Sequence, residues 1–346
     1  MRLLLFLLSI IYGTITSIRN NLFDYGILKS TIHNIPIICI GNLSAGGSGK
    51  TPHTNHIAQL LSKQYNVAIL SRGYGRKAKG FNYVETNSKA IKIGDEPLQL
   101  KQNNPTCIVA VNNNRNKGVT KILTDYPKTD VILLDDGFQH RWIKAGLNVI
   151  ITPFQKPYTK DELLPLGILR ENISAAQRAD VILVSKTPAN ANPTRKKGML
   201  ESLHLKAHQK GYFSSINYKK YKCINTGKEL ENEEDYSITL VSGIANPTPL
   251  VNHLKKHTTN VNLIQFNDHH NYTPNNITHI LSEYNKDNSS KKLILTTEKD
   301  ATKLREFSKE FKDANIYYIP IDIAVNEQEE FEKIILNYVA NNYRII

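Results

Sequence analysis

A glycine-rich stretch, GNLSAGGSGKT at residues 41–51, decides the fold class of this chain. It follows the apolar run 35–40 and precedes residues 51–61, where apolar side chains recur with helical spacing. Such a turn lets successive backbone N–H groups point at one anion, and the helix N-terminus adds its positive dipole end. The stretch therefore predicts a phosphate-binding loop for a nucleotide, formed by Gly46, Gly47, Ser48, Gly49, Lys50 and Thr51.

Two residues of this loop have defined chemistry. We expect Lys50 to reach the β- and γ-phosphates, and the Thr51 hydroxyl to bind Mg²⁺. The strict motif has glycine where this chain has Ser44. The alternative is a glycine-rich turn before a surface helix, but the position of Gly-Lys-Thr between strand and helix favours the phosphate loop.

A second apolar run, 131–134, ends in the acidic residues Asp135 and Asp136. Open α/β sheets bind ligands at the carboxyl ends of their strands, so we expect these carboxylates to join Thr51 in a Mg²⁺ site. The alternative is a buried strand followed by two exposed turn residues, since Gly137 comes next. The sequence does not separate the roles of the two carboxylates.

A GTP-binding protein is disfavoured by the segment after the run 181–184. GTPases read their base with Asn/Thr-Lys-x-Asp, and the best-placed candidate here is SKTP at 185–188. Its last residue is Pro188, which has no carboxylate with which to read the base.

β-rich apolar runs alternate with helical segments along the chain, which predicts an α/β fold with mostly parallel sheets. We predict an N-terminal membrane-associating helix at 1–27, a phosphate-loop NTPase-type core at 28–215, a smaller α/β lobe at 216–325 and a C-terminal helix at 326–346. Segments 189–197 and 225–235 are predicted to be loops. Strands are predicted at 35–40, 67–70, 107–111, 131–134, 147–151, 181–184, 238–241, 261–266, 293–296 and 316–319, and further helices at 247–257, 297–311 and 328–341.

Composition and charge narrow the function. With 44 Lys+Arg against 31 Asp+Glu in 346 residues, the formal net charge is +13, which favours an anionic partner. The basic residues are scattered and 195–197 is among the densest runs, so no nucleic-acid-binding stripe is indicated. Cys39, Cys107 and Cys223 are odd in number and far apart. They predict neither a disulfide framework nor a zinc site, and they fit a reducing compartment.

The N-terminus is apolar from Leu3 to Tyr12, apart from Ser9. A secretory signal, a helix at the membrane surface with Arg2 and Arg19 at headgroup level, and a core helix are the alternatives. The run is too short to predict a spanning helix firmly. Nucleotide chemistry belongs in the cytosol and argues against the secretory signal. The sequence leaves open whether residues 1–19 span the bilayer or lie on it.

Further motifs follow the phosphate loop in a fixed order: SRGYG at 71–75, GDEP at 94–97, DDGFQH at 135–140, LPLGILRE at 164–171, SGIANP at 242–247, DHH at 268–270 and TTEKD at 296–300. The ordered set resembles the tetraacyldisaccharide 4'-kinase (lipid A 4'-kinase) family, from the N-terminal helix to about residue 305. Ser44 is consistent with this resemblance, because the family's loop commonly has threonine or serine at that position.

The resemblance implies transfer of the γ-phosphoryl group of ATP, with Mg²⁺, to the 4'-hydroxyl of a tetraacylated glucosamine disaccharide 1-phosphate, giving lipid IVA. It implies a lipid substrate in the inner leaflet of the bacterial inner membrane. The protein would then act at the cytoplasmic face of that membrane, peripherally or anchored by its N-terminal helix. The basic charge and the apolar N-terminus fit an anionic leaflet. No nucleic-acid partner is expected. A monomer is expected, although no sequence motif specifies the oligomeric state. No motif specifies the acyl-chain preference either.

The resemblance implies that Asp95, assisted by His269, orients the 4'-hydroxyl of the sugar acceptor for phosphoryl transfer. From the residues alone, the favoured interpretations are a helix cap for Asp95 and a loop histidine for His269. The choice of His269 over His270 rests on the Asp-His step of the motif. A metal site at the two histidines is disfavoured, because adjacent residues of an extended segment point to opposite faces.

Arg170 and Glu171 are the expected substrate contacts, because arginine suits bidentate phosphate recognition and the acceptor carries a 1-phosphate. A structural ion pair is the alternative. Arg72, in a Gly-Tyr-Gly loop after a strand, is a third expected contact, with a solvated basic loop as its alternative. The motif at 298–300 has no assigned chemistry and is interpreted as a salt-bridged helix start.

Two other classes compete with the lipid kinase. One is a phosphate-loop ATPase that drives a partner protein and uses its basic charge on nucleic acid. The other is a secreted structural protein, which would leave the pairing of Lys50 with Asp135 unexplained.

Overall fold

The structure, a computed structural model, describes residues 1–258 and 260–342. Its strands are β1 Ile37–Gly41, β2 Val67–Ser71, β3 Asn82–Tyr83, β4 Ile108–Val111, β5 Val131–Asp135, β6 Leu147–Pro153, β7 Val181–Ser185, β8 Lys210–Tyr218, β9 Lys222–Cys223, β10 Ser237–Ser242, β11 Val261–Gln265, β12 Lys292–Thr297, β13 Ile316–Ile319 and β14 Ile321–Val325. Its helices are α1 Arg2–Asp24, α2 Lys50–Leu61, α3 Ala90–Ile93, α4 Asp95–Asn103, α5 Arg115–Asp125, α6 Pro193–Ser202, α7 Thr248–Leu254, α8 Pro274–Lys286, α9 Glu298–Leu304 and α10 Gln328–Asn342.

The first lobe is built on a large sheet with the strand order β14-β8-β7-β6-β1-β5-β2-β4-β3 across the described residues. The strands from β8 to β4 are parallel, and β14 and β3 are antiparallel edge strands. Strands β1, β2, β5 and β7 are buried at every residue. Continuous apolar runs suit this position, because parallel strands are covered on both faces.

The second lobe is built on a smaller sheet with the order β11-β10-β12-β13-β9. The strands β11, β10, β12 and β13 are parallel, and β9 pairs antiparallel with β13. The apolar faces of α8 and α9 pack on one side of this sheet, with Ile277, Ile280 and Leu304 in its core. The predicted α/β fold with mostly parallel sheets is confirmed.

All ten predicted strands are present, with ends shifted by up to two residues. The loop predicted at 189–197 is wrong from Pro193 onward, where α6 begins. The Asn192 side chain accepts a hydrogen bond from the Arg195 N–H and caps that helix, and proline suits its first position. The helix predicted at 297–311 ends at Leu304, and a 3₁₀ turn follows at Arg305–Phe307.

The C-terminal region joins the first lobe. Strand β14 pairs with β8 in the large sheet, although its residues fall in the range predicted for the second lobe. Helix α10 buries Phe331, Ile335 and Val339 in the core of the large sheet. Residues 343–346 of the predicted C-terminal helix lie outside the described residues. Because the chain returns to the first lobe after β13, the two lobes are connected twice.

Candidate active site

The phosphate-binding loop connects β1 to α2 at the carboxyl edge of the large sheet. Gly49 caps α2 with φ 93°, a left-handed conformation that glycine adopts without strain. The loop is held from the end of β7: the Ser185 hydroxyl donates to the Ser48 carbonyl at 2.7 Å, and Lys186 Nζ donates to the Gly47 carbonyl at 2.6 Å. These contacts fix the backbone that would bind phosphate.

Asp135 ends β5 beside this loop and is almost fully buried. Its carboxylate accepts hydrogen bonds from two neutral hydroxyls, Thr54 at 2.9 Å and Ser71 at 3.2 Å. Burial raises the pKa of Asp135 to about 7, and the nearby Glu96 and Asp136 carboxylates add to this increase.

Asp136 is the more accessible carboxylate, with a third of its side chain exposed. Arg170 binds both of its oxygens, at 2.8 and 3.1 Å, and Lys50 Nζ lies 3.8 Å from Oδ1. Although burial opposes ionisation, the charges of Lys50 and Arg170 lower the pKa of Asp136 overall. Its φ of 50° is unusual for a residue other than glycine, and such backbone conformations are frequent at functional sites.

Thr51, Asp135 and Asp136 could hold Mg²⁺. Hydroxyl and carboxylate oxygens are the ligands that Mg²⁺ prefers, usually together with substrate phosphates and water. Among the described residues, no group of three or more His, Cys, Asp and Glu side chains forms a metal cluster. That finding is compatible with Mg²⁺, which binds through one or two carboxylates rather than an all-protein cage.

Asp95 and His269 come together from different lobes. Asp95 is the first residue of α4 in the first lobe, and His269 lies in the loop between β11 and α8 in the second. The His269 Nδ1 atom is 3.0 Å from Asp95 Oδ2. The hydrogen bond with Asp95 raises the pKa of His269. His270 points elsewhere, and its Nε2 atom lies 3.0 Å from Asn276 Oδ1.

Glu171 and Arg72 have different surroundings. Glu171 is fully buried, and its Oε2 atom accepts from Asn20 of α1 at 2.6 Å and from Arg178 at 2.9 Å. The structural ion pair considered for this segment is therefore present, between Glu171 and Arg178. Arg72 is exposed and directly follows Ser71, the last residue of β2. Because β2 and β5 are parallel neighbours, Arg72 lies at the same edge of the sheet as Asp135 and Asp136.

Several residues of the site carry no sequence signal on their own. Ser71 could have been found, because it ends β2, the parallel neighbour of β5. Thr54 lies one helical turn after Thr51 and shares its face of α2. Lys299 and Lys303, which contact His269 and Asp95, come from the other lobe, so spacing along the chain does not reveal them.

The fold and the site together define a nucleotide-dependent phosphotransferase with a phosphate-binding loop. Residues 1–340 match the family described as LpxK: Tetraacyldisaccharide-1-P 4'-kinase. The chain belongs to this family, and the predicted resemblance is confirmed.

Relatives and a solved structure agree with this assignment. The chain is 40% identical to the tetraacyldisaccharide 4'-kinase of Bacteroides thetaiotaomicron, with 98% of this chain and 94% of the relative covered. It is 41% identical to that of Flavobacterium johnsoniae, with coverages of 99% and 98%. It also matches a crystal structure described as the "apo" form of LpxK from Aquifex aeolicus in complex with ATP, with TM-score 0.75, 27% identity and coverages of 98% and 99%.

These findings confirm the predicted class of enzyme. The chain is an ATP-dependent kinase of lipid A biosynthesis that phosphorylates a hydroxyl acceptor, the 4'-hydroxyl of tetraacyldisaccharide 1-phosphate.

Proposed function

We propose that Asp95 accepts the proton of the sugar 4'-hydroxyl while that oxygen attacks the γ-phosphorus of ATP bound at the phosphate loop. The contact between Asp95 and His269 carries this proposal. Packing supports its nearness to the loop: Gly94, directly before Asp95, packs against Gly73, and Ser71, two residues before Gly73, donates to Asp135.

The reaction forms one bond and breaks one. The 4'-oxygen bonds to the γ-phosphorus, the bond from that phosphorus to the β–γ bridging oxygen breaks, and ADP leaves. The hydroxyl proton passes to the Asp95 carboxylate, which His269 orients through Nδ1. Lys50 and the N–H groups of the loop stabilise the negative charge on the transferred group.

The Thr51 hydroxyl and the carboxylates of Asp135 and Asp136 would hold Mg²⁺. When bound, the ion supplies charge neutralisation at the β- and γ-phosphate oxygens. Arg170 orients Asp136 through two parallel hydrogen bonds, a geometry that a lysine cannot reproduce. Arg72, which is exposed, is proposed to contact the acceptor, and buried Glu171 is proposed to support this side of the site from within.

Helix α1 is proposed to enter the cytoplasmic leaflet rather than to span the bilayer. Its length and composition would allow it to cross a membrane, and only 11% of its most apolar stretch is buried. However, the Tyr12 hydroxyl donates to the Arg170 carbonyl at 2.9 Å, and Gly13 packs on Leu163. The part of α1 before Tyr12 is roughly 16 Å long, about half the thickness of the hydrocarbon core of a bilayer.

The test is a phosphoryl-transfer assay with the full-length protein in detergent. Mg-ATP and tetraacyldisaccharide 1-phosphate are supplied, and a bis-phosphorylated lipid is the expected product, which should disappear in the Lys50→Ala variant. ATP hydrolysis that depends on Lys50 without lipid product would contradict the assigned acceptor. That outcome would favour an ATPase that drives a partner protein.

Membrane placement has its own measurement. Fractionation should recover the protein with membranes, from which detergent or high salt releases it. Protease added to the periplasmic side should leave residues 1–11 intact, whereas cleavage there would contradict a helix that enters only the cytoplasmic leaflet.

A further inference from the structure

Helix α9 docks on α4, the helix that begins with Asp95. The Thr297 hydroxyl accepts from the Asp300 N–H at 3.1 Å and fixes the start of α9. Glu298 Oε2 then accepts from Gln99 at 2.8 Å and from Asn103 at 3.0 Å, both on α4. Glu298 therefore ties the second lobe to the first.

Lys299 and Lys303 are four residues apart on α9, so they share one face of the helix. Lys303 Nζ lies 2.9 Å from Asp95 Oδ2 and donates to the His270 carbonyl at 2.9 Å. This ion pair is buried, with side-chain exposures of 7% for Lys303 and 6% for Asp95. Lys299 Nζ lies 2.9 Å from Asp268 Oδ1 and 3.2 Å from His269 Nε2.

The contact between Lys299 and His269 determines where the imidazole carries its proton. An ammonium group has donors and no acceptor, so Nε2 of a neutral His269 must accept. Nδ1 then carries the hydrogen and donates it to Asp95, at 3.0 Å from Oδ2. Protonation of Nε2 would place two donors against each other, which Lys299 disfavours.

We propose that Lys299 and Lys303 are positioning residues for phosphoryl transfer, which hold the neutral ring of His269 in its Nδ1–H tautomer and Asp95 as an oriented carboxylate. The inference rests on the proposed function of the pair formed by Asp95 and His269. It gives the motif at 298–300 and its following turn a role: α9 brings two cations of the second lobe to a carboxylate of the first.

The charges that face the pair come from both lobes. Asp95 faces His269, Lys299 and Lys303 of the second lobe, with Glu96 next to it on α4. Burial alone would raise the pKa of Asp95, but the His269 hydrogen bond and the two lysine charges lower it well below its usual range.

His269 has further neighbours besides Asp95 and Lys299. Asp268 raises the pKa of His269, Lys299 lowers it, and the Tyr74 ring lies 5.8 Å from the imidazole. Removing the Lys299 charge therefore raises the pKa of His269, so the imidazole is protonated at a higher pH.

The first experiment reads the tautomer of His269 in the full-length wild-type protein. The protein is labelled with ¹⁵N-histidine in detergent, and the His269 signals are assigned with His269→Gln. The spectra are recorded at a pH above the pKa of His269, which the Asp95 hydrogen bond raises, and we expect a protonated Nδ1 and an unprotonated Nε2 in the neutral ring. A protonated Nε2 in the neutral ring would overturn the proposal, and this reading does not depend on whether any lysine variant folds.

The second experiment compares substitutions that remove or keep each charge. Lys299→Met should raise the pKa of His269, so the acidic limb of the pH profile of kcat should move upward by about one pH unit. Lys299→Arg should leave the pKa of His269 and the pH profile unchanged. Lys303→Met should lower kcat about 10-fold without changing KM for Mg-ATP, and Lys303→Arg should recover most of it. Exposed Lys309→Met is the matched control.

Equal effects of the methionine and arginine substitutions would overturn the proposal, since they would indicate a purely steric role. Asp95→Asn, assayed in parallel, separates this inference from the proposed function. Activity that survives in Asp95→Asn would refute the role of the pair itself. Loss of activity in Asp95→Asn together with unaltered lysine variants would refute only the role of Lys299 and Lys303.

Discussion

The first lobe carries two buried carboxylates with opposite electrostatic surroundings, Asp135 and Asp95. Asp135 is held by the hydroxyls of Thr54 and Ser71, and burial raises its pKa to about 7. Asp95 is held by His269 and a lysine, and its pKa is lowered although it is nearly as buried. Burial alone therefore does not decide the charge of a carboxylate. The charge of its hydrogen-bonding partners also does, and for Asp95 those partners come from the second lobe.

The largest expected effect concerns the nucleotide-binding part of the site, to which Asp135 belongs. Lys50→Ala should lower kcat by roughly 10³-fold, because the Lys50 ammonium group would stabilise the negative charge of the β- and γ-phosphates. Initial rates with saturating Mg-ATP and lipid acceptor measure this loss. Exposed Lys63→Ala serves as the control. A loss below about 10-fold for Lys50→Ala would mean that the glycine-rich loop does not act on the transferred phosphate.

The acceptor side should respond to Asp95→Asn with a loss in kcat of roughly 10²-fold. The substitution also leaves Lys303 as a buried charge without its carboxylate, so the melting temperature should fall. The double variant Asp95→Asn with Lys303→Met separates the two effects, because it should regain thermal stability and remain inactive. A double variant that regained activity would show that Asp95 is not the proton acceptor.

Arg170→Met should have a smaller effect, about 10-fold in kcat/KM for Mg-ATP. Asp136 would lose two hydrogen bonds and a neighbouring positive charge, so its pKa would rise. Steady-state kinetics with each substrate varied in turn measures the change. An unaltered KM for Mg-ATP with a raised KM for the acceptor would instead support the sequence-based assignment of Arg170 to the 1-phosphate.

The smallest effect concerns stability and tests the contrast between the carboxylates directly. The raised pKa of Asp135 stabilises the folded state below about pH 4, and this contribution is lost as the pH rises through about 7. Asp135→Asn should therefore increase the free energy of unfolding at pH 8. Urea unfolding with a chelator present measures it.

In the same unfolding experiment, Asp95→Asn should change the free energy of unfolding in the opposite direction. Its folded-state pKa is lowered, so the ionised carboxylate stabilises the protein at neutral pH, and the substitution should destabilise it. If both substitutions changed stability with the same sign at pH 8, the contrast between hydroxyl and cationic partners would be wrong.

Much of the nucleotide side could be predicted because its parts are local. A strand, a glycine-rich turn and a helix start are adjacent in the chain, and Asp135 follows its own apolar run. Parallel strands bring their carboxyl ends to one edge, which brings Asp135 close to the loop without further information. The bidentate contact of Arg170 with Asp136 could not be predicted, since the two residues lie 34 positions apart and arginine has several possible partners.

The amino-acid sequence by itself determined the parallel α/β fold, the phosphate loop and, through the order of its motifs, the family. Tertiary structure alone decided which charges meet Asp95. Strand β14 and helix α10 return to the first lobe, and α9 docks on α4, so Lys303 and His269 reach a carboxylate about 170 to 210 residues earlier in the chain. Local patterns report only near neighbours, whereas the ionisation of a buried group depends on every charge that folding brings within a few ångströms.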